Sequence, residues 1–319
     1  MNKITTEFID SHTTADANWF NDPNVPELPP VPPTDQAPFP HDSWLNTHCW
    51  DGIHDPIEQF PAPRSITEPV SEKNPLKADV VWSMRSPYSA LALPRLIWLN
   101  SNYNVDLRFR TVLPVAVRST KGGTGGAGGA FSLDYKLTHT MWDCQRTAAF
   151  EGLPYKWPAP DPIWQTIWPP HGEGWQFVHP PEKQPYIFWI VRLASYCELM
   201  GKSADYQNDV HRLIWSGQVD HWPDHVKEYF NRIEGLDYDE AIKFIRENHE
   251  KVDAVWQENS QIQSQTGHGG VPLMLYNGEP FFGQDRFYQF FWRLMQNGLT
   301  TRKEPRAPFT ARPKTWPMA

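Results

Sequence analysis

The sequence predicts an α/β protein in which a β-α-β unit is parted from a closing β-hairpin and helix by a long helical block, behind a proline-rich leader. Three observations carry that reading. Two short β-branched runs, ADVVWSM and VDLRFRTVL, flank a helical stretch; helical spacing dominates from 132 to 260; and strand character returns in VPLMLYNGEPFFG.

Residues 1–76 stand apart. VPELPPVPPTDQAPFP is too rich in proline for a helix or central strand and is expected to be extended or polyproline-like. HDSWLNTHCWDGIHDPIEQF is richer in aromatics and is expected to dock on a surface. His41, His48, Cys49 and His54 match no standard zinc spacing, so they read as polar residues beside packed tryptophans.

The whole chain has 319 residues, 39% hydrophobic, with 16 tryptophans, enough for a sizeable core. Its 32 prolines are about twice the ~5% average share. A net charge of −8 leaves no broad basic field for phosphates, so no nucleic-acid partner is expected. Cys49, Cys144 and Cys197 are too far apart for a C-x-x-C pair or a disulfide framework. No apolar run has the length of a signal peptide or of a membrane span, so the expectation is a cytoplasmic protein with no membrane partner.

Regular structure is expected from Lys77, with ADVVWSM as a buried strand. Ser86 at the cap position and Pro87 in the first turn then open a helix. Leu91, Leu93, Leu96, Ile97 and Leu99 make it hydrophobic almost all round, and VDLRFRTVL completes a parallel pair. KGGTGGAGGA lacks the order of a phosphate loop and reads as a flexible flap. A helix is expected over 132–152, an irregular proline- and tryptophan-rich stretch over 155–179, and helices over 186–200, 204–215, 224–234 and 237–260. The block 132–260 thus reads as an all-helical insertion into a domain made of 77–131 and 261–299. Asn277-Gly278 marks the hairpin turn, and 284–296 a closing helix with Asp285 in its first turn. The basic, proline-rich tail, 300–319, reads as an arm or a partner contact.

This order is that of a thioredoxin-like fold with a large helical insertion. There the reactive group sits at the start of the first helix, where free N–H groups and the dipole favour an anion. The position is held by Ser86, and Pro272 after Val271 stands where the fold presents a cis-proline. Ser86 would also serve as an ordinary helix cap, worth ~1 kcal/mol.

The stretch 84–92, Lys136 with Asp143-x-x-Arg146 leading to Glu151-Gly152-Leu153-Pro154, Ile214-Trp215, and Gly270-Val271-Pro272 with Phe282-Gly283-Gln284-Asp285-Arg286 occur in one order. Together they resemble the 2-hydroxychromene-2-carboxylate isomerases and kappa-class glutathione transferases, within the DsbA-like thioredoxin superfamily, over residues 78–298. The resemblance implies glutathione as cofactor and a homodimer. It implies that Ser86 bonds the glutathione sulfur, that the Val271 backbone, beside Pro272 and Gln284, pairs with the tripeptide, and that Asp285 holds its ammonium group. Arg85 is a candidate cation where the family usually has an apolar residue. Tyr88, Trp157 and Trp168, with Trp164 and Trp175, either wall an aromatic-substrate pocket or pack the core. Asp143 and Arg146 read more simply as an intrahelical pair. The Gly122–Gly129 run replaces the family's Pro-x-Asn-type contact, which leaves one tripeptide contact without a counterpart. The expected activity is glutathione-dependent isomerisation or transfer on an aromatic or unsaturated carbonyl compound. The alternatives are a non-catalytic binding protein, or a thiol oxidoreductase, which the absence of cysteine at 86 and 89 disfavours.

Overall fold

The computed structural model describes residues 22–29, 68–118, 123–124, 133–168, 175–178 and 183–307. β1 (Leu76–Trp82), α1 (Pro87–Asn102) and β2 (Val105–Thr111) form the expected unit, with β1 and β2 parallel from Leu76↔Val105 to Trp82↔Thr111. β3 (Gly123–Thr124), β4 (Gln165–Trp168) and β5 (Trp175–Val178) form a separate small sheet in the order β3-β5-β4. β6 (Leu273–Tyr276) and β7 (Glu279–Phe282) close the main sheet in the order β2-β1-β6-β7. Asn277 and Gly278 both adopt positive φ between them, which is why that dipeptide makes the turn.

Alternation along β1 sorts its side chains. Val80 and Trp82 enter the main core, whereas Val81 meets Leu273 and Leu275 on the opposite face, under Ile262. All three β1 residues are fully buried because strands flank β1 on both edges and apolar clusters cover both faces of the sheet. The insertion packs on this frame. After a short α2 (Val115–Arg118), α3 (Leu133–Glu151) lays Cys144 and Ala148 on Leu91 of α1. α4 (Pro185–Leu199) runs through the middle, and α5 (Ser203–Tyr206) continues by a π turn (Gln207–His211) into α6 (Arg212–Ser216). A 3-10 turn, α7 (Val226–Phe230), α8 (Tyr238–Glu247) and α9 (His249–Gln265) follow; the closing helix is α10 (Phe287–Gln296).

Three expectations change in detail. The single helix over 237–260 is two, parted at Asn248, whose φ of −132° is not helical. The closing helix begins with a 3-10 turn at Gln284–Arg286. The stretch 155–179 is not wholly irregular: β4 and β5 pair antiparallel and β5 also pairs with β3 in the glycine-rich run, so the insertion carries a small sheet as well as helices. Prolines on both sides hide those strands from any periodicity test.

His41, His48, Cys49 and His54 lie outside the described residues. The leader is seen at Asp22–Pro29, strapped across the helical insertion. Val25 and Leu28 pack on the core. Arg246 donates to the Glu27 carbonyl at 2.9 Å and Arg192 to that of Pro29 at 2.7 Å. The buried Asp22 carboxylate accepts from Tyr186 Oη at 2.5 Å and from the Asn24 N–H at 2.9 Å. The tail contacts its own chain: Arg302 and Arg306 both donate to the Val105 carbonyl on edge strand β2, and Arg306 pairs with Asp106 at 2.7 Å. Among the described residues no helix is long and apolar enough to cross a membrane.

Burial opposes the charge on Asp22, but the bonds from Tyr186 and Asn24, with His221 nearby, outweigh it and hold its pKa below the usual value. A carboxylate with a depressed native pKa stabilises the fold above its unfolded pKa of ~3.9 and loses that contribution as pH falls through the native value. Tyr186→Phe is therefore expected to cost about 1–3 kcal/mol in urea unfolding at pH 7, with a smaller difference from the unaltered protein near pH 3.

Candidate active site

β1 ends at Trp82, and the chain turns through Ser83–Arg85 before Pro87 starts α1; the Ser86 N–H donates to the Ser83 carbonyl at 3.1 Å. Ser86 is the N-cap, with φ −87° and ψ 120°, and its Oγ accepts from the Ser89 N–H at 3.2 Å. The same hydroxyl points across to the Val271 carbonyl at 3.4 Å. That distance is long for an O–H···O bond, whose usual value is ~2.7–2.8 Å, so the proton is available to a better acceptor. The Val271–Pro272 peptide bond is cis, as the element order leads one to expect. Among the described residues the Val271 N–H has no partner. The fold thus joins a hydroxyl on the positive end of a helix to an open backbone edge.

A sequence profile of the DsbA-like thioredoxin domain matches residues 78–294. The chain belongs to that family. No curated protein matches it. Solved structures that resemble this DsbA-like chain include the following. A 2-hydroxychromene-2-carboxylate isomerase is 19% identical with a TM-score of 0.49, covering 69% of this chain and 95% of its own. A probable DsbA oxidoreductase from Streptomyces coelicolor is 14% identical with a TM-score of 0.48, covering 70% and 89%. A cytosolic disulfide reductase, DsbM, from Pseudomonas aeruginosa is 16% identical with a TM-score of 0.41, covering 69% and 99%.

The remaining sequence-predicted residues of the DsbA-like domain fall into two groups. Arg85 adjoins Ser86, but its guanidinium turns away to Asp161, with Nε and Nη2 at 3.1 and 2.8 Å from the two carboxylate oxygens, and lies 4.8 Å over the Trp157 ring. It is a paired cation. Trp157 is accordingly packed, with Arg85 on its face and Trp215 edge-on at 5.4 Å. Gln284 bonds to the buried Arg95 of α1. Asp285 is exposed and pairs with Arg286 at 2.6 Å. Tyr88 donates to Asp143 at 3.0 Å; burial raises its pKa, with Cys144 and Asp143 adding to the effect. Asp143 lies 3.9 Å from Arg146, as the intrahelical pairing predicts. Cys144, behind Tyr88, is pushed by burial to about 12 and stays a thiol. The side chains of Trp168, Trp175 and Lys136 lie outside the described residues, while Trp164 is buried, its backbone held on both sides by Gln184.

The reactive turn is supported by Trp215, one of the motif residues, and by His211 and Asp161, which carry no sequence signal of their own. Trp82 Nε1 donates to His211 Nδ1 at 2.6 Å, and Trp215 Nε1 donates to the Met84 carbonyl at 3.0 Å. One helical segment therefore grips the chain on both sides of Ser83. Asp161, in the proline-rich stretch, is fixed by the Ile163 N–H at 3.0 Å and presents its carboxylate to Arg85.

His211 is fully buried, and burial lowers its pKa to about 3. The unfolded chain, with an ordinary histidine near ~6.5, takes the proton first as pH falls. Its contribution to stability is complete above ~6.5 and is lost between there and about 3, at ~1.4 kcal/mol per pH unit. Urea unfolding from pH 7 to 5 is expected to show that slope flattened in His211→Asn.

Proposed function

We propose that this site binds glutathione and that the protein is a glutathione-dependent isomerase or transferase acting on an aromatic or unsaturated carbonyl compound. The observation that carries the reading is the Ser86 hydroxyl at the N-terminus of α1, 3.4 Å from the Val271 carbonyl beside a cis-proline. The residues fit such a ligand. The Val271 N–H and C=O are the pair that an extended peptide needs for antiparallel bonding, and the hydroxyl donor stands where a cysteinyl sulfur would lie.

When bound, glutathione supplies a thiol whose anion adds to an activated double bond and is later expelled. The protein's part is to hold that anion and orient the partner. The Ser86 Oγ–H donates to it, and the positive end of the α1 dipole stabilises it further. A thiol of pKa ~8.5 is mostly protonated at neutral pH, and lowering it by two units requires ~2.7 kcal/mol. One charge-assisted hydrogen bond, worth ~1.5–3 kcal/mol, and a helix terminus, worth ~0.3–1 kcal/mol, are together enough. Asp285 is the acid for the ligand's ammonium group, exchanging its bond with the exposed Arg286 for the ligand. Arg85, neutralised by Asp161, serves the wall of the pocket with Tyr88 and Trp157 in place of a free charge near the sulfur. Holding both reactants in line provides the larger part of the acceleration. Serine at both 86 and 89 leaves no cysteine there to exchange disulfides.

Calorimetry with glutathione is expected to show binding, and Ser86→Ala to raise the bound thiol's pKa by about 1–2 units, read from thiolate ultraviolet absorbance, with turnover slowed roughly 10- to 100-fold. An unchanged pKa would overturn the assignment of Ser86, and absence of binding would overturn the cofactor. An insulin-reduction assay is expected to be negative.

A further inference from the structure

The backbone around the cis-proline is fixed with one residue left over. The Gly270 N–H donates to His268 Nδ1 at 3.0 Å, and the Gly270 carbonyl accepts from Gln263 Nε2 at 2.9 Å. The Pro272 carbonyl accepts from the Gly283 N–H at 2.9 Å, and proline has no N–H of its own. Gly270 and Pro272 are thus anchored on either side of Val271, whose carbonyl faces the Ser86 hydroxyl at 3.4 Å and whose N–H has no partner among the described residues. Three of the holding groups come from the end of α9, the loop after it and the end of β7.

His268 is itself held tightly. Its N–H donates to Thr266 Oγ1 at 3.2 Å, and its ring lies on Phe282 with centroids 3.8 Å apart. The stack leaves no space at Gly270: a Cβ there would come within 2.3 Å of the Phe282 ring and 2.9 Å of His268 Cε1. Only glycine brings the backbone close enough to the imidazole for the bond. Nδ1 accepts only when it carries no proton, which places the proton on Nε2. Burial favours that neutral form.

We propose that His268 is a positioning residue of the site: by accepting the Gly270 N–H it holds the Val271 edge in the orientation that receives a peptide thiol. The inference rests on the glutathione reading above and adds to it a residue outside the reactive turn. His268 acts through the backbone and takes no part in the chemistry. Asparagine is its natural stand-in, since Asn Oδ1 reaches the position of Nδ1 and accepts the same bond, whereas leucine keeps bulk without an acceptor.

The test is calorimetric titration of the full-length protein and of His268→Leu and His268→Asn with glutathione. Loss of one preorganised hydrogen bond is expected to weaken binding about 10-fold in the leucine variant, and asparagine to recover it to within about 3-fold of the unaltered protein. Equal affinity in all three, or equal loss in both variants, overturns the role of His268 while leaving the glutathione reading intact. Absence of binding to the unaltered protein overturns that reading and this inference together. An independent measurement needs no variant: imidazole nitrogen shifts of the unaltered protein are expected to report the Nε2–H tautomer, and an Nδ1–H tautomer overturns the proposal.

Discussion

Antiparallel pairing of β1 with β6, from Asp79↔Leu275 to Val81↔Leu273, is the contact on which the site depends. β1 leads out to Ser86 and β6 is entered from Val271, so this register alone decides that residues 185 apart in sequence face each other at 3.4 Å. The pairing is well protected. Val81 and Leu273 are fully buried under α9, and β2 and β7 cover the two outer edges of the pair. A slip of one residue would turn Val81 out of its cluster and carry Ser86 away from the cis-proline.

The helical insertion does more than cover the sheet. His211 and Trp215, four residues apart, hold Trp82 and Met84 on either side of Ser83. His211 is the last residue of a π turn, an arrangement often found where a helix is shaped by function, and Trp215 follows in α6. The Arg85–Asp161 pair and the Trp157–Trp215 contact fasten the other side of the turn. Several of these bonds are buried, so each lost partner leaves a polar group without water, and the cost falls on the geometry around Ser86. The loop before Pro272 is restrained by the same means, through Gln263, His268 and Gly283.

The two ends of the chain are tied to different parts. Asp22–Pro29 crosses the insertion and is read by Tyr186, Arg192 and Arg246. The tail is tied to the start of edge strand β2 through Arg302 and Arg306, which share the Val105 carbonyl. An unpaired edge is a template for association with another chain; here the two arginines take the Val105 carbonyl, and Asn100 and Ser203 accept from the Leu107 and Phe109 N–H groups. After a turn closed by the Val25 N–H on the Asp22 carbonyl at 3.1 Å, the leader segment runs without further backbone bonds of its own among the described residues and offers the Glu27 and Pro29 carbonyls to side chains.

The sequence by itself determined the elements and their order. β-branched runs, a serine-proline helix start and an Asn-Gly turn are local signals, and each acts within a few residues of its cause; β1, α1, β2, β6 and β7 stand where those signals put them. They also determined that Ser86 caps a helix, and, through the order of elements, that Pro272 is the proline to examine. Only the tertiary structure decided what those residues meet. Arg85 looked like a free cation because its partner, Asp161, lies 76 residues away in a stretch without periodicity. The β4–β5 strands were hidden by prolines, and His268 and His211 gave no sign because a lone histidine acquires its role from the group its nitrogen faces. Partner choice between distant residues is settled by packing, and no local pattern records it.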